Sequence, residues 1–97
     1  MAVGDITQGN SSISAGAYLS IQPASTAEWV IHNLYHEAEI SLSWYDGAND
    51  IPCSAVLAGP GIETNLQAHV GNAKYLRVKN ENSGAKRIGY DGVITHT

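Results

Sequence analysis

Phenylalanine is absent from the 97 residues, and Met and Cys occur once each. With Ala supplying much of the apolar fraction, the core has few large side chains to fill it. A chain this short buries only about two-thirds of its unfolded surface, so it gains from packing a face against a partner or a copy of itself. The single Cys53 excludes an intrachain disulfide and fits a chain kept in a reducing compartment. No apolar run approaches the roughly 20 residues of a membrane-spanning helix. Met1–Asp5 carries neither a basic region nor an apolar one, so no secretory leader is expected. The sequon Asn10-Ser11-Ser12 then has no consequence.

Lys and Arg are missing from residues 1–73, which hold seven acids, while residues 74–97 hold all five bases and two acids. Either the C-terminal strands lie beside acidic ones and the charges pair within the fold, or a basic face meets an acidic face on a neighbour. The net charge of -4 and the five bases argue against nucleic acid, although Lys74-Tyr75-Leu76-Arg77-Val78-Lys79 interleaves bases with an aromatic as single-strand sites do.

What the chain does contain is short alternating runs separated by turn residues. In 12–22, Ile13, Ala15, Ala17, Leu19 and Ile21 share one face of an extended strand, which Pro23 ends. In 28–35, Trp29, Ile31 and Tyr35 alternate with Val30, His32 and Leu34, as in a central strand. Ser25-Thr26-Ala27-Glu28 is also a capping-box pattern that would start a helix over 29–39; the β-rich, contiguous apolar residues favour strand. Strands are further predicted over 39–45, from Ile51, and over 62–70, 74–80 and 87–95. Turns are predicted at Asp46–Asp50, Ala58–Gly61 and Glu81–Gly84, a tight hairpin at Gly71-Asn72, and a bulge or kink at Asp91-Gly92. The fold class is therefore all-β: an antiparallel β-sandwich, jelly-roll or Ig-like, of about seven to eight short strands. A single domain is expected over 13–97, preceded by a polar, extended arm over 1–12 able to reach a neighbour.

No residue pattern points to catalysis. His32 and His36 would share a metal on a helix, but on a strand they stand roughly 13 Å apart. Asp46, Asn49 and Asp50 lack the ligand spacing of an EF-hand and are explained by turn chemistry. Cys53 has no His or orienting group nearby in sequence and is expected to be a small buried hydrophobe. No cofactor, metal or enzymatic activity is expected. The aromatics matter more. Trp44 and Tyr45 are adjacent on a strand and point to opposite faces, so one can fill the core while the other meets a partner or a sugar. Tyr75 raises the same question beside Lys74, Arg77 and Lys79. These six residues are the candidate interface.

Ile21-Gln22-Pro23, Glu28-Trp29-Val30-Ile31, the strand ending Tyr45-Asp46-Gly47, Lys74 to Asn80, and Ile88-Gly89-Tyr90-Asp91-Gly92-Val93-Ile94 give the chain a rhythm that resembles the small β-rich virion proteins of tailed bacteriophages, above all the capsid decoration or cement class. The resemblance covers most of the chain and carries no site residues. It implies a structural protein, made in the host cytoplasm, that sits on the outer capsid surface. There it would form homo-oligomers, trimers foremost, that clamp the major capsid protein. The alternative is a carbohydrate-binding or host-recognition module of a phage tail or fibre, with Trp44 or Tyr45 exposed.

Overall fold

The computed structural model describes residues 2–53, 57, 59–64 and 67–97. These form nine strands: β1 (Ile6–Ile13), β2 (Tyr18–Ile21), β3 (Glu28–His36), β4 (Ile40–Tyr45), β5 (Asp50–Pro52), β6 (Gly61–Glu63), β7 (Ala68–Gly71), β8 (Tyr75–Asn80) and β9 (Lys86–His96). They make an antiparallel β-sandwich. One sheet runs β1-β9-β3-β6, with β7 also on β3; the other runs β2-β8-β4-β5. The first half of β3 pairs β7 and its second half pairs β6.

The alternation read from the sequence sets the core. Ile13, Ile31, Leu34, Val70, Ile88 and Ile94 of the first sheet bury against Ile21, Ile40, Leu42, Leu76 and Val78 of the second. Each buried aliphatic side chain contributes roughly 1.5–3 kcal/mol. Trp29, Trp44, Tyr75 and Tyr90 pack on this layer half-buried. The missing phenylalanines are thus replaced by β-branched residues inside and by aromatics at the margins.

Several expectations change in detail. The run 12–22 is not one strand. A turn at Ser14–Ala17, closed by the Ala17 N–H donating to the Ser14 carbonyl (3.0 Å), sends β1 to one sheet and β2 to the other. Ala15 and Ala17 kept the apolar period, which hid the break. The run 62–70 is likewise two short strands, β6 and β7; residues 65 and 66 lie outside the described residues. Gly71–Lys74 is a tight turn, the Gly71 N–H donating to the Lys74 carbonyl (2.7 Å), but it joins strands of different sheets and is no hairpin. Segment 28–36 is strand, not helix. The bulge is real but sits on the partner strand: Ile31 faces Gly92 and Asn33 faces Asp91, leaving His32 as the extra residue. Gly92 is required there, because a Cβ on it would lie 2.1 Å from the Val30 carbonyl oxygen.

The segment expected as an arm lies, from Ile6 onward, in β1, paired in continuous register with β9 from Ile6↔Val93 to Ile13↔Lys86. Its end is held by Asn80, which is fully buried. The Asn80 amide donates to the carbonyls of Ile13 (2.8 Å) and Gly84 (2.9 Å), and its oxygen accepts from the Asn82 N–H (2.9 Å). One polar side chain therefore ties the β1–β2 turn to the β8–β9 turn, with its donors and acceptor used as burial demands.

Candidate functional site

The outer face of the β2-β8-β4-β5 sheet collects most of the expected interface. Registers Ser43↔Arg77, Ser41↔Lys79 and Tyr45↔Tyr75 set these side chains on one face. The Tyr45 and Tyr75 rings lie 5.2 Å apart. Arg77 pairs with Asp50 at 3.2 Å and stands 4.0 Å above the Tyr18 ring. Lys79 meets Glu81 at 3.6 Å, and Ser41 donates to the same carboxylate at 2.6 Å. Here the basic strand does meet acids of its own fold. Such exposed pairs contribute about 0–1 kcal/mol each.

Trp44 and Lys74 are not on this face. Trp44 opposes Leu76 on the core side. With Trp29, Glu28, His69 and Lys74 it lines a groove of about 510 Å³ at one end of the sandwich. Asp46, at the β4–β5 turn, accepts from the N–H groups of Ala48 (3.0 Å) and Asn49 (2.7 Å). Those bonds, with a minor contribution from Lys74, hold its carboxyl below the ordinary carboxylate value.

The other outer face was not singled out from sequence. Outward positions of β1, β9, β3 and β6 are Ile6, Gln8 and Asn10; Arg87, Gly89 and Asp91; Asn33 and Tyr35; and Ile62. All of these but Asn33 line an open groove of about 850 Å³. Its rims are apolar and open to solvent: Ile6 is 73%, Ile62 58% and Tyr35 38% exposed. Its floor is Gly89, where a Cβ would come 3.0 Å from the Asn10 Cβ. The polar groups are held in place. Asn33 donates to Asp91 at 2.8 Å, and the Tyr35 hydroxyl donates to the other carboxylate oxygen. That hydrogen bond to a carboxylate pushes the Tyr35 phenol above its ordinary value. Arg87 donates from its guanidinium to Asn10 and from its backbone to Glu37, each at 2.8 Å. The arrangement suits hydrogen bonding and stacking at a surface.

Below one rim, buried His36 has Nδ1 3.0 Å from the Ala38 carbonyl oxygen and Nε2 2.9 Å from Glu63. This contact fastens the three-residue β6, and with it Ile62, to β3. His32 is the bulge residue, and the two histidines do not converge. Among the described residues no group of three His, Cys, Asp or Glu side chains forms a metal site. Cys53 is exposed rather than buried, and partial desolvation pushes its thiol up, away from the thiolate that a nucleophile needs. Residues 54–56 beside it lie outside the described residues.

No protein-family model matches the chain, and no curated protein matches it. The groove's members come from positions 6–10, 35–37, 60–62 and 87–91, so no local motif announces them. The one signal was the outward alternation Ile6, Gln8, Asn10, Ser12 in a segment read as an arm.

Proposed function

We propose that the chain is a structural virion protein of the capsid decoration type, a homo-oligomer that binds the major capsid protein on the outside of a phage head. The observation that supports this reading most is the outer face of the β1-β9-β3-β6 sheet. Exposed Ile6, Tyr35 and Ile62 come from three different strands and frame a shallow polar groove. Exposed apolar and aromatic side chains interleaved with polar groups suit a protein-binding surface, which combines both. The test is cosedimentation with purified tailed-phage heads, before and after maturation. Saturation at a fixed ratio to capsid subunits is expected, and its loss in Tyr35→Ala/Ile62→Ser. Failure to cosediment with heads of any maturation state would overturn the proposal.

The same groove favours one competing reading, a carbohydrate site. Tyr35 offers an aromatic surface, and Asp91, Asn10, Gln8 and Arg87 offer planar polar groups around it. Trp44, half-buried against the core, lines the other groove with Trp29. A glycan panel decides between the two: a Tyr35-dependent hit without head binding selects the sugar.

A further inference from the structure

A sheet that ends in a strand leaves unpaired backbone N–H and C=O groups there, and proteins blunt such edges with brevity, charge, proline or bulges. Among the described residues three of the four margins of this sandwich are blunted. On the four-stranded sheet, β2 has four residues, with Pro23 two positions beyond it, and β5 has three, one an Asp and one a Pro. On the larger sheet, the margin opposite β1 is divided between β6 and β7, of three and four residues.

β1 has none of these protections. It is eight residues long, Ile-Thr-Gln-Gly-Asn-Ser-Ser-Ile, without charge or proline, and five of the eight are exposed. Its register with β9 is unbroken, so it carries no bulge. Alternate residues of a paired strand turn their backbone groups away from the partner, and among the described residues no strand neighbours β1 on that side.

We propose that the free edge of β1 pairs antiparallel with β1 of a second copy, about a twofold axis, making one continuous ten-stranded sheet from the two five-stranded ones. The sequence of the edge fits itself. The twofold keeps both outer faces on the same side, so residues of like parity meet and Gln8, Asn10 and Ser12 face the same three residues of the other copy. Two amides and a hydroxyl can hydrogen-bond across such a pair, and no like charges oppose. The other margins are too short to return the contact, so it closes as a pair and does not propagate. The inference deepens the assembly reading, on which it rests for its purpose: the pair would set two grooves side by side on one surface.

Sedimentation of the full chain, from about 1 μM to about 1 mM, tests the proposal. The expected species has twice the 10.3 kDa chain mass. Gln8→Lys/Ser12→Lys and Gln8→Glu/Ser12→Glu, both at exposed positions, should each weaken pairing at least tenfold while the β circular-dichroism spectrum stays unchanged. Mixing the two variants should restore the double mass. If one charged variant fails to fold, the other still gives the result. A wild-type mass of one chain throughout, or a double mass unaffected by either variant, overturns the proposal. A mass of three chains overturns β1 pairing and leaves the assembly reading standing. Twofold pairs that never bind heads do the reverse.

Discussion

The two outer faces of this sandwich are built from similar residues and finish differently. On the four-stranded sheet every group that looked adhesive in sequence is engaged within the chain: Arg77 with Asp50 and Tyr18, Lys79 with Glu81, Tyr45 with Tyr75. On the five-stranded sheet the polar groups are also held, but Ile6 and Ile62 remain open beside them, each more exposed than Tyr18, the most exposed aromatic of the other face, while Tyr35 is about as exposed as Tyr18. A charged or aromatic residue is therefore a poor guide to a binding face until its neighbours are known. A clustered basic strand reads as a partner site, yet Arg77 meets Asp50 on β5, two strands away, and Lys79 meets Glu81 just beyond its own strand. The open surface belongs to unremarkable residues that no single segment contains.

This contrast can be broken by substitution. The largest effect is expected at the corner joining both sheets. Asn80→Ala strands the buried carbonyl of Ile13 and unpairs the Gly84 carbonyl and the Asn82 N–H, and should cost about 3 kcal/mol in urea unfolding; a loss under about 0.5 kcal/mol would mean that water or relaxation replaces it. Next, Tyr35→Ala/Ile62→Ser should reduce head binding at least tenfold, about 1.4 kcal/mol, while the melting temperature moves by only a few degrees. Comparable losses in both readouts would erase the distinction between the faces. Arg77→Ala, on the closed face, should do the opposite, lowering stability by about 0.5–1 kcal/mol and leaving binding intact. The smallest effect is at Asp46. Its folded pKa lies below the unfolded one, so its contribution is present above the unfolded value and is lost as pH falls through the folded value. The stability difference between wild type and Asp46→Ala should therefore shrink between about pH 5 and about pH 2, followed by urea midpoints. A constant difference would mean that the carboxylate charge plays no part.

Much of the architecture was legible because alternation and turn chemistry are local. Asp46–Asp50 closes β4 onto β5 through Asp46 itself, as Asx turns do, and the inward positions of β4 and β8 follow their period of two; on β3 the bulge at His32 shifts the period, so Leu34, and not Tyr35, turns inward with Trp29 and Ile31. What stayed hidden depends on the other sheet. Nothing in Ser14-Ala15-Gly16-Ala17 says that the chain changes sheets there, since small residues satisfy strand and turn alike. Asp91-Gly92 did announce an irregularity, but which of two facing strands carries the additional residue is a property of the pair. The groove was illegible for the same reason: Asn10 and Arg87 touch only because β1 lies on β9. Cys53 misled because a small residue between Pro and Ser fits a surface as well as a core.

The position of β9 between β1 and β3 has a consequence for synthesis. Of the nine strands it leaves the ribosome last, yet it lies inside its sheet. Until it emerges, β1 has no strand to lie on and one side of β3 stands open. The five-stranded sheet is therefore completed after translation of the final strand and not progressively during it. A chain that stalls before Lys86 leaves β1 unpaired on both sides and one side of β3 open, which marks it for chaperones and proteases.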